Sequence, residues 1–154
     1  MSANETVIAG RGATPSIRAR IFSVLSALLA LLIVVQVFVA GAGLFVMAHQ
    51  LDSGQNYTVS SWNNSAYWPI HFLNAFAILI VMLLLLGASF LAQLPGRTKR
   101  FTGLLLGLLV LQAVLGLIPW PAPISALHVL NAFVMLAVAL YVTRENWAFG
   151  RPAS

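Results

Sequence analysis

The sequence predicts an all-α membrane protein: an antiparallel bundle of four transmembrane helices, built from two tandem two-helix repeats. Three observations predict it. Of the 154 residues, 60% are hydrophobic and only 7% charged, against about 25% charged in a typical soluble domain. Four apolar stretches are each long enough to cross a hydrocarbon core about 30 Å thick, which takes roughly 20 helical residues. The six-residue pattern His-x-Leu-Asn-Ala-Phe occurs twice, from His71 to Phe76 and from His128 to Phe133. Both copies open long apolar runs.

Residues 1–17 are polar and small, interrupted by Pro15, and suit a flexible tail. A transmembrane domain follows over residues 18–147, with spans at Ile21–Ala48, Ile70–Ala92, Phe101–Ile118 and Ile124–Thr143. Residues 148–154 form a second tail. No span holds an Asp, Glu, Lys or Arg; the acids Glu5, Asp52 and Glu145 all lie outside them. An alternative for the start is a cleaved leader, with Arg18 and Arg20 as its basic region and Ala40-Gly41-Ala42 as a small-residue cleavage site. Its apolar run is longer than the usual 7–15 residues.

The basic residues are one-sided. Arg11, Arg18 and Arg20 precede the first span; Arg97, Lys99 and Arg100 fill the second loop; Arg144 and Arg151 follow the fourth span. The first and third loops have none. The positive-inside rule places both termini and the second loop in the cytoplasm. The net charge of +5 is thus an orienting signal at helix ends, and no nucleic-acid partner is expected. Trp62, Tyr67 and Trp68 suit one interfacial belt, and Tyr141 and Trp147 the other. Trp120, between Pro119 and Pro121, marks a tight outer turn. The absence of Cys excludes disulfides, thiolate metal sites and covalent attachment of haem through Cys.

The duplication extends beyond the six residues. Gln36 and then Gly41 precede the first outer loop, and Gln112 and then Gly116 precede the second. Each half reads as a helix with Gln and Gly near its outer end, an outer loop, and a helix carrying His within its first two turns. Tandem repeats of this kind are related by an axis along the membrane normal. Short connections favour an up-down-up-down bundle, which puts spans two and four on a diagonal and both His at one depth near the outer face.

His and Asn are costly in lipid and need partners there. With neighbouring helices about 10 Å apart, diagonal helices stand roughly 14 Å apart, a gap that two imidazoles with one iron between them can bridge. Gly41, Gly43 and Gly116 lie near the outer ends of spans one and three and would let a porphyrin approach the backbone. His71 and His128 are therefore candidate axial ligands of a b-type haem, flanked by those glycines and by Asn74 and Asn131, three residues after each His on the same face. The alternative is packing alone: small residues and His, Asn and Gln serve as contacts between membrane helices without any cofactor. Gln36 and Gln112 are placed to satisfy the two Asn. Zinc or copper would need more ligands than two His, with His49 as a possible third; otherwise His49 reads as a wet interfacial residue.

The plan of Gln followed by Gly on the odd helices, and of His near the outer end of the even helices, resembles one four-helix half of haem A synthase, as scattered positions from about Val35 to Val142. It also resembles small four-helix bacterial membrane proteins of uncharacterised function with the same plan. The resemblance to haem A synthase implies that His71 and His128 ligate a haem b. The catalytic half of that family has a Glu shortly before its first His, whereas this chain reads Ala66-Tyr67-Trp68-Pro69. The half that holds haem without substrate chemistry is the closer analogue, and no catalytic residue is expected.

Two functions follow as expectations. One is a small haem-binding protein of a bacterial inner membrane that passes electrons or holds haem near the outer face. The other is a cofactor-free accessory or scaffold subunit of a larger respiratory or other membrane complex, or of an assembly with a second copy of itself. A transporter or channel is disfavoured, because the spans carry no acid or base beyond His. Asn56-Tyr57-Thr58 and Asn63-Asn64-Ser65 would be glycosylation acceptors only in a eukaryotic secretory pathway.

Overall fold

Helix formation begins at Ser16, whose hydroxyl accepts the Ala19 N–H at 3.2 Å and caps the first helix. In the computed structural model this helix, α1, runs over Ile17–Asp52. Three more follow: α2 over Tyr67–Leu91, α3 over Gly96–Leu117 and α4 over Ala122–Glu145. The structure describes residues 15–56, 58, 61, 65–118 and 121–149. Most of the N-terminal tail, Trp62, the Trp120 turn, the end of the C-terminal tail, and Tyr57, Asn63 and Asn64 of the acceptor motifs lie outside them.

The helices outrun the spans read from hydropathy. At about 1.5 Å per residue, the 36 residues of α1 reach well past a 30 Å core. Arg18 and Arg20 extend it at one end and His49 and Asp52 at the other. Likewise α3 starts five residues before its apolar run, because Pro95 precedes it as N-cap and Arg97, Lys99 and Arg100 are good helix formers. An apolar run marks only the part of a helix that lies in hydrocarbon.

Two stops are alike. After α1, Gly54 sits at φ 78°, with Gln55 N–H donating to Gln50 O and Gly54 N–H to Leu51 O, both at 3.0 Å. After α2, Gln93 takes the same left-handed turn at φ 51°, and Leu94 and Gln93 N–H donate to Ser89 O and Phe90 O. Both are Schellman caps. The first has the residue that left-handed backbone favours, and the second does not.

Consecutive helices pack side by side, and α1 closes the ring against α4. This is a square four-helix bundle with α2 and α4 on one diagonal, as the repeat requires. Burial repeats with it. Phe22, Ser26, Leu29 and Val39 are buried along α1, and Thr98, Thr102, Leu105 and Leu115 at the matching places along α3. On the other pair, Asn74, Ile78, Met82 and Leu85 of α2 match Asn131, Met135, Ala139 and Val142 of α4. The outer surface is apolar; Phe45, for one, is 80% exposed. All four helices are long and apolar enough to cross a membrane, and the chain is a membrane protein.

Two hydroxyls in the middle of the core bond to their own helices. Ser26 donates to Ser23 O and Thr102 to Thr98 O, both at 2.9 Å, so neither is left unpaired where water is absent. At the end that holds the basic residues, Asn146 ties three helices. It accepts from Thr98 of α3 at 3.1 Å, donates to Val142 O at 2.8 Å, and its backbone carbonyl accepts the Ser23 hydroxyl of α1. Arg18 adds a bond to Leu91 O at 3.1 Å.

The contrast between the two caps gives a prediction. Left-handed backbone costs a non-glycine residue about 1 kcal/mol, so Gln93→Gly should stabilise the bundle by up to about that amount. Unfolding in a detergent titration reads it, and an unchanged or lowered midpoint would count against the cap.

Candidate functional site

The two histidines sit at the end of the bundle opposite the basic residues. His71 is in the second turn of α2 and His128 in the second turn of α4. The sequence folds this way locally because Pro69 lies within the first turn of α2, and Pro121 and Pro123 open α4. Proline is tolerated in the first helical turn, where N–H groups have no intrahelical partner.

Each two-helix unit is held by the same amide clasp. In the first, Asn74 Nδ2 donates to Leu32 O at 2.9 Å and to Gln36 Oε1 at 2.6 Å. In the second, Asn131 Nδ2 donates to Leu108 O at 2.9 Å and to Gln112 Oε1 at 2.6 Å. The Leu carbonyl lies four residues before the Gln in both helices, so partners and register coincide. Both Asn are buried, Asn74 at 9% and Asn131 at 6% exposure. The sequence assigns the Gln side chains to the Asn, and the geometry shows that pairing.

The clasps differ in what the Gln amide does with its hydrogens. Gln36 Nε2 donates to the backbone carbonyl of His71 at 3.0 Å, leaving the ring alone. His71 Nδ1 is buried without a hydrogen-bond partner, and Trp68 lies nearly parallel to the ring, with centroids 6.5 Å apart and planes at 16°. Gln112 Nε2 instead stands 3.0 Å from His128 Nε2, and His128 Nδ1 stands 3.1 Å from Gln112 O. The roles follow from chemistry: a carbonyl only accepts, so Nδ1 carries the proton, and Nε2 accepts from the Gln112 amide.

Glycine explains the difference. The His128 ring lies on α3 at Gly116, where an added Cβ would come within 2.8 Å of Cε1 and 3.1 Å of Nδ1. Aligning Gln36 with Gln112 brings Ala40, not Gly41, to the place of Gly116. Ala40 has the Cβ that forbids the same seat to His71. Of the other expected glycines, Gly43 is buried, and a Cβ on Gly41 would meet nothing within 4 Å.

His49 is exposed in the last turn of α1. Among the described residues, no three His, Asp or Glu stand together as a metal cluster, so His49 does not complete a three-ligand site with the pair. Asn146, which knots the far end, was not singled out by sequence; a lone Asn beside Trp147 carries no period or repeat to mark it.

Gly116→Ala should evict the His128 ring from α3, break its bond to Gln112 O, and destabilise the bundle by about 1–3 kcal/mol, as overpacking does. Gly41→Ala, where space is open, should be neutral or stabilise by about 0.5–1 kcal/mol. Equal unfolding midpoints for the two variants would contradict the packing described.

One family model, that of a family of unknown function (DUF6220), matches residues 58–118. That segment holds α2 and α3, with His71 and Asn74 of the first unit and Gln112 and Gly116 of the second. No curated protein and no solved structure matches the chain.

Proposed function

We propose that the chain is a small integral membrane haem protein in which His71 and His128 are the axial ligands of one b-type haem, serving electron transfer or haem holding. The observation that carries this reading is the pair itself. Two imidazoles stand at matching places of a repeat, on diagonal helices and at the same end of the bundle, and Nδ1 of one of them is buried with nothing to bond.

The residues present fit such a group. His128 donates from Nδ1 to a backbone carbonyl, the orienting bond that fixes tautomer and ring direction in metal-bound histidines, and its Nε2, which accepts from the Gln112 amide, is the atom a metal would take in place of that amide. The Gln–Asn clasps set the depth of each His by fixing α2 on α1 and α4 on α3. A bound haem would supply one-electron iron chemistry, with its potential tuned by the two His and the apolar shell. The resemblance to a haem-holding half of haem A synthase supports the same ligands, and the lack of an acid before His71 supports a role without haem oxidation.

Orientation belongs to the same proposal. Arg18, Arg20, Arg97, Lys99, Arg100 and Arg144 all lie at one end of the bundle, which the positive-inside rule makes cytoplasmic, with the histidines near the outer face of a bacterial inner membrane. Lipid is then the partner of the apolar exterior.

A second reading rests on a specific observation. Both His128 nitrogens and both Asn amides are bonded within the protein, so most of the polar set is accounted for by packing alone. On this reading the chain is a cofactor-free accessory or scaffold subunit of a larger membrane complex.

The spectrum of the purified protein after expression with ample haem decides between them. The haem reading predicts a Soret band with sharp reduced α and β bands, altered in both His71→Ala and His128→Ala. A colourless, stable protein that co-purifies with a partner would favour the scaffold. Reporter fusions at residue 55 and at residue 149 should report opposite sides, with the second cytoplasmic; the reverse would overturn the orientation.

A further inference from the structure

The two histidines of the pair are not equivalent, and the difference lies in one side chain. Gln112 holds His128 twice: its amide donates to Nε2 at 3.0 Å and its backbone carbonyl accepts from Nδ1 at 3.1 Å. Asn131 fixes that amide from the other side through Oε1 at 2.6 Å. Gly116 provides the seat, since no side chain larger than hydrogen fits beneath the ring. In the first unit Ala40 takes the place of Gly116, Gln36 spends its amide on the His71 carbonyl, and the His71 ring receives no bond from Gln36.

We propose that Gln112 is a removable cap on His128 Nε2, so that the pair is engaged in order, His71 first and His128 second. The ordering rests on the haem reading above; the cap itself does not. Nε2 is the nitrogen whose lone pair a metal would take, and the Gln112 amide occupies it. Rotating that amide away frees Nε2 while Nδ1–H keeps its bond to the Gln112 backbone carbonyl, so the ring stays aimed. Gln112 is thus a positioning residue and not a ligand. Breaking one such bond between membrane helices corresponds to about a 3- to 10-fold penalty on the second position, which the first does not bear.

The cap is read in the haem-free protein by reaction of its three histidines with diethyl pyrocarbonate, located by peptide mass spectrometry. Exposed His49 serves as the internal reference. In the wild type, His71 should react several-fold faster than His128. Gln112→Met removes the amide, and Gly116→Ala removes the seat while keeping Gln112; each should bring His128 close to the rate of His71. Using both guards against loss of the Asn131 partner in the first. Equal rates in the wild type, or a His128 rate unmoved by both variants, would overturn the cap.

Haemin titration of the same proteins tests the order. The wild type should pass from a high-spin to a low-spin spectrum in two steps, and the variants in one. A two-His spectrum reached at the same rate in all three proteins would remove the ordering and leave the haem site standing. The reactivity pattern without any haemin binding would leave the cap standing and remove the haem.

Discussion

The bond between an Asn on an even helix and a Gln on an odd helix is the constraint on which the rest depends. Lipid offers no competing hydrogen-bond partner for an amide, so each Asn must find one inside the protein, and the Gln one turn beyond the Leu carbonyl supplies it at 2.6 Å in both units. One short bond pins helix register, because sliding either helix by a turn would strand the amide and the carbonyl together. The apolar core around it, which includes Leu29, Met82, Leu105 and Met135, tolerates exchange far better than this pair does. Depth of the histidines is a by-product: three residues before each Asn on the same face, they can only arrive at the same end of the bundle.

The same logic closes the opposite end. There Asn146 collects bonds from α1, α3 and α4, and Arg18 reaches the last carbonyl of α2. The bundle is therefore fastened by polar groups at both ends and by apolar packing between them. Energetically each fastening is modest, since bonds between membrane helices average about 0.6 kcal/mol. Their effect is to select one arrangement among the many that apolar helices of similar shape could adopt.

Much of this was legible in the sequence because it is periodic or repeated. Four spans, their up-and-down order, the paired His and Asn, and the Gln partners all follow from apolar length and from one motif seen twice. What was not legible depends on single atoms. The sequence pairs Gly41 with Gly116 as the Gly that follows Gln near the outer end of each helix; in space the clasp aligns Ala40 with Gly116, and that one methyl group separates a seated His128 from an unseated His71. The helices run past the spans because Arg and Lys continue a helix that hydropathy stops. The left-handed Gln93 and the Asn146 knot escaped notice because neither residue type announces its backbone or its partners.

A symmetric scaffold here carries an asymmetric site: the clasps equalise depth, while Gly116 and Gln112 seat one histidine and not the other. The central claim is that His71 and His128 of one chain share one haem iron. Near-infrared magnetic circular dichroism of the loaded protein tests it most directly, because the energy of its charge-transfer band identifies the axial pair. The account predicts a bis-imidazole band, with one haem per chain. A band for histidine with a non-histidine ligand, or a protein that takes up no haem at all, would contradict it.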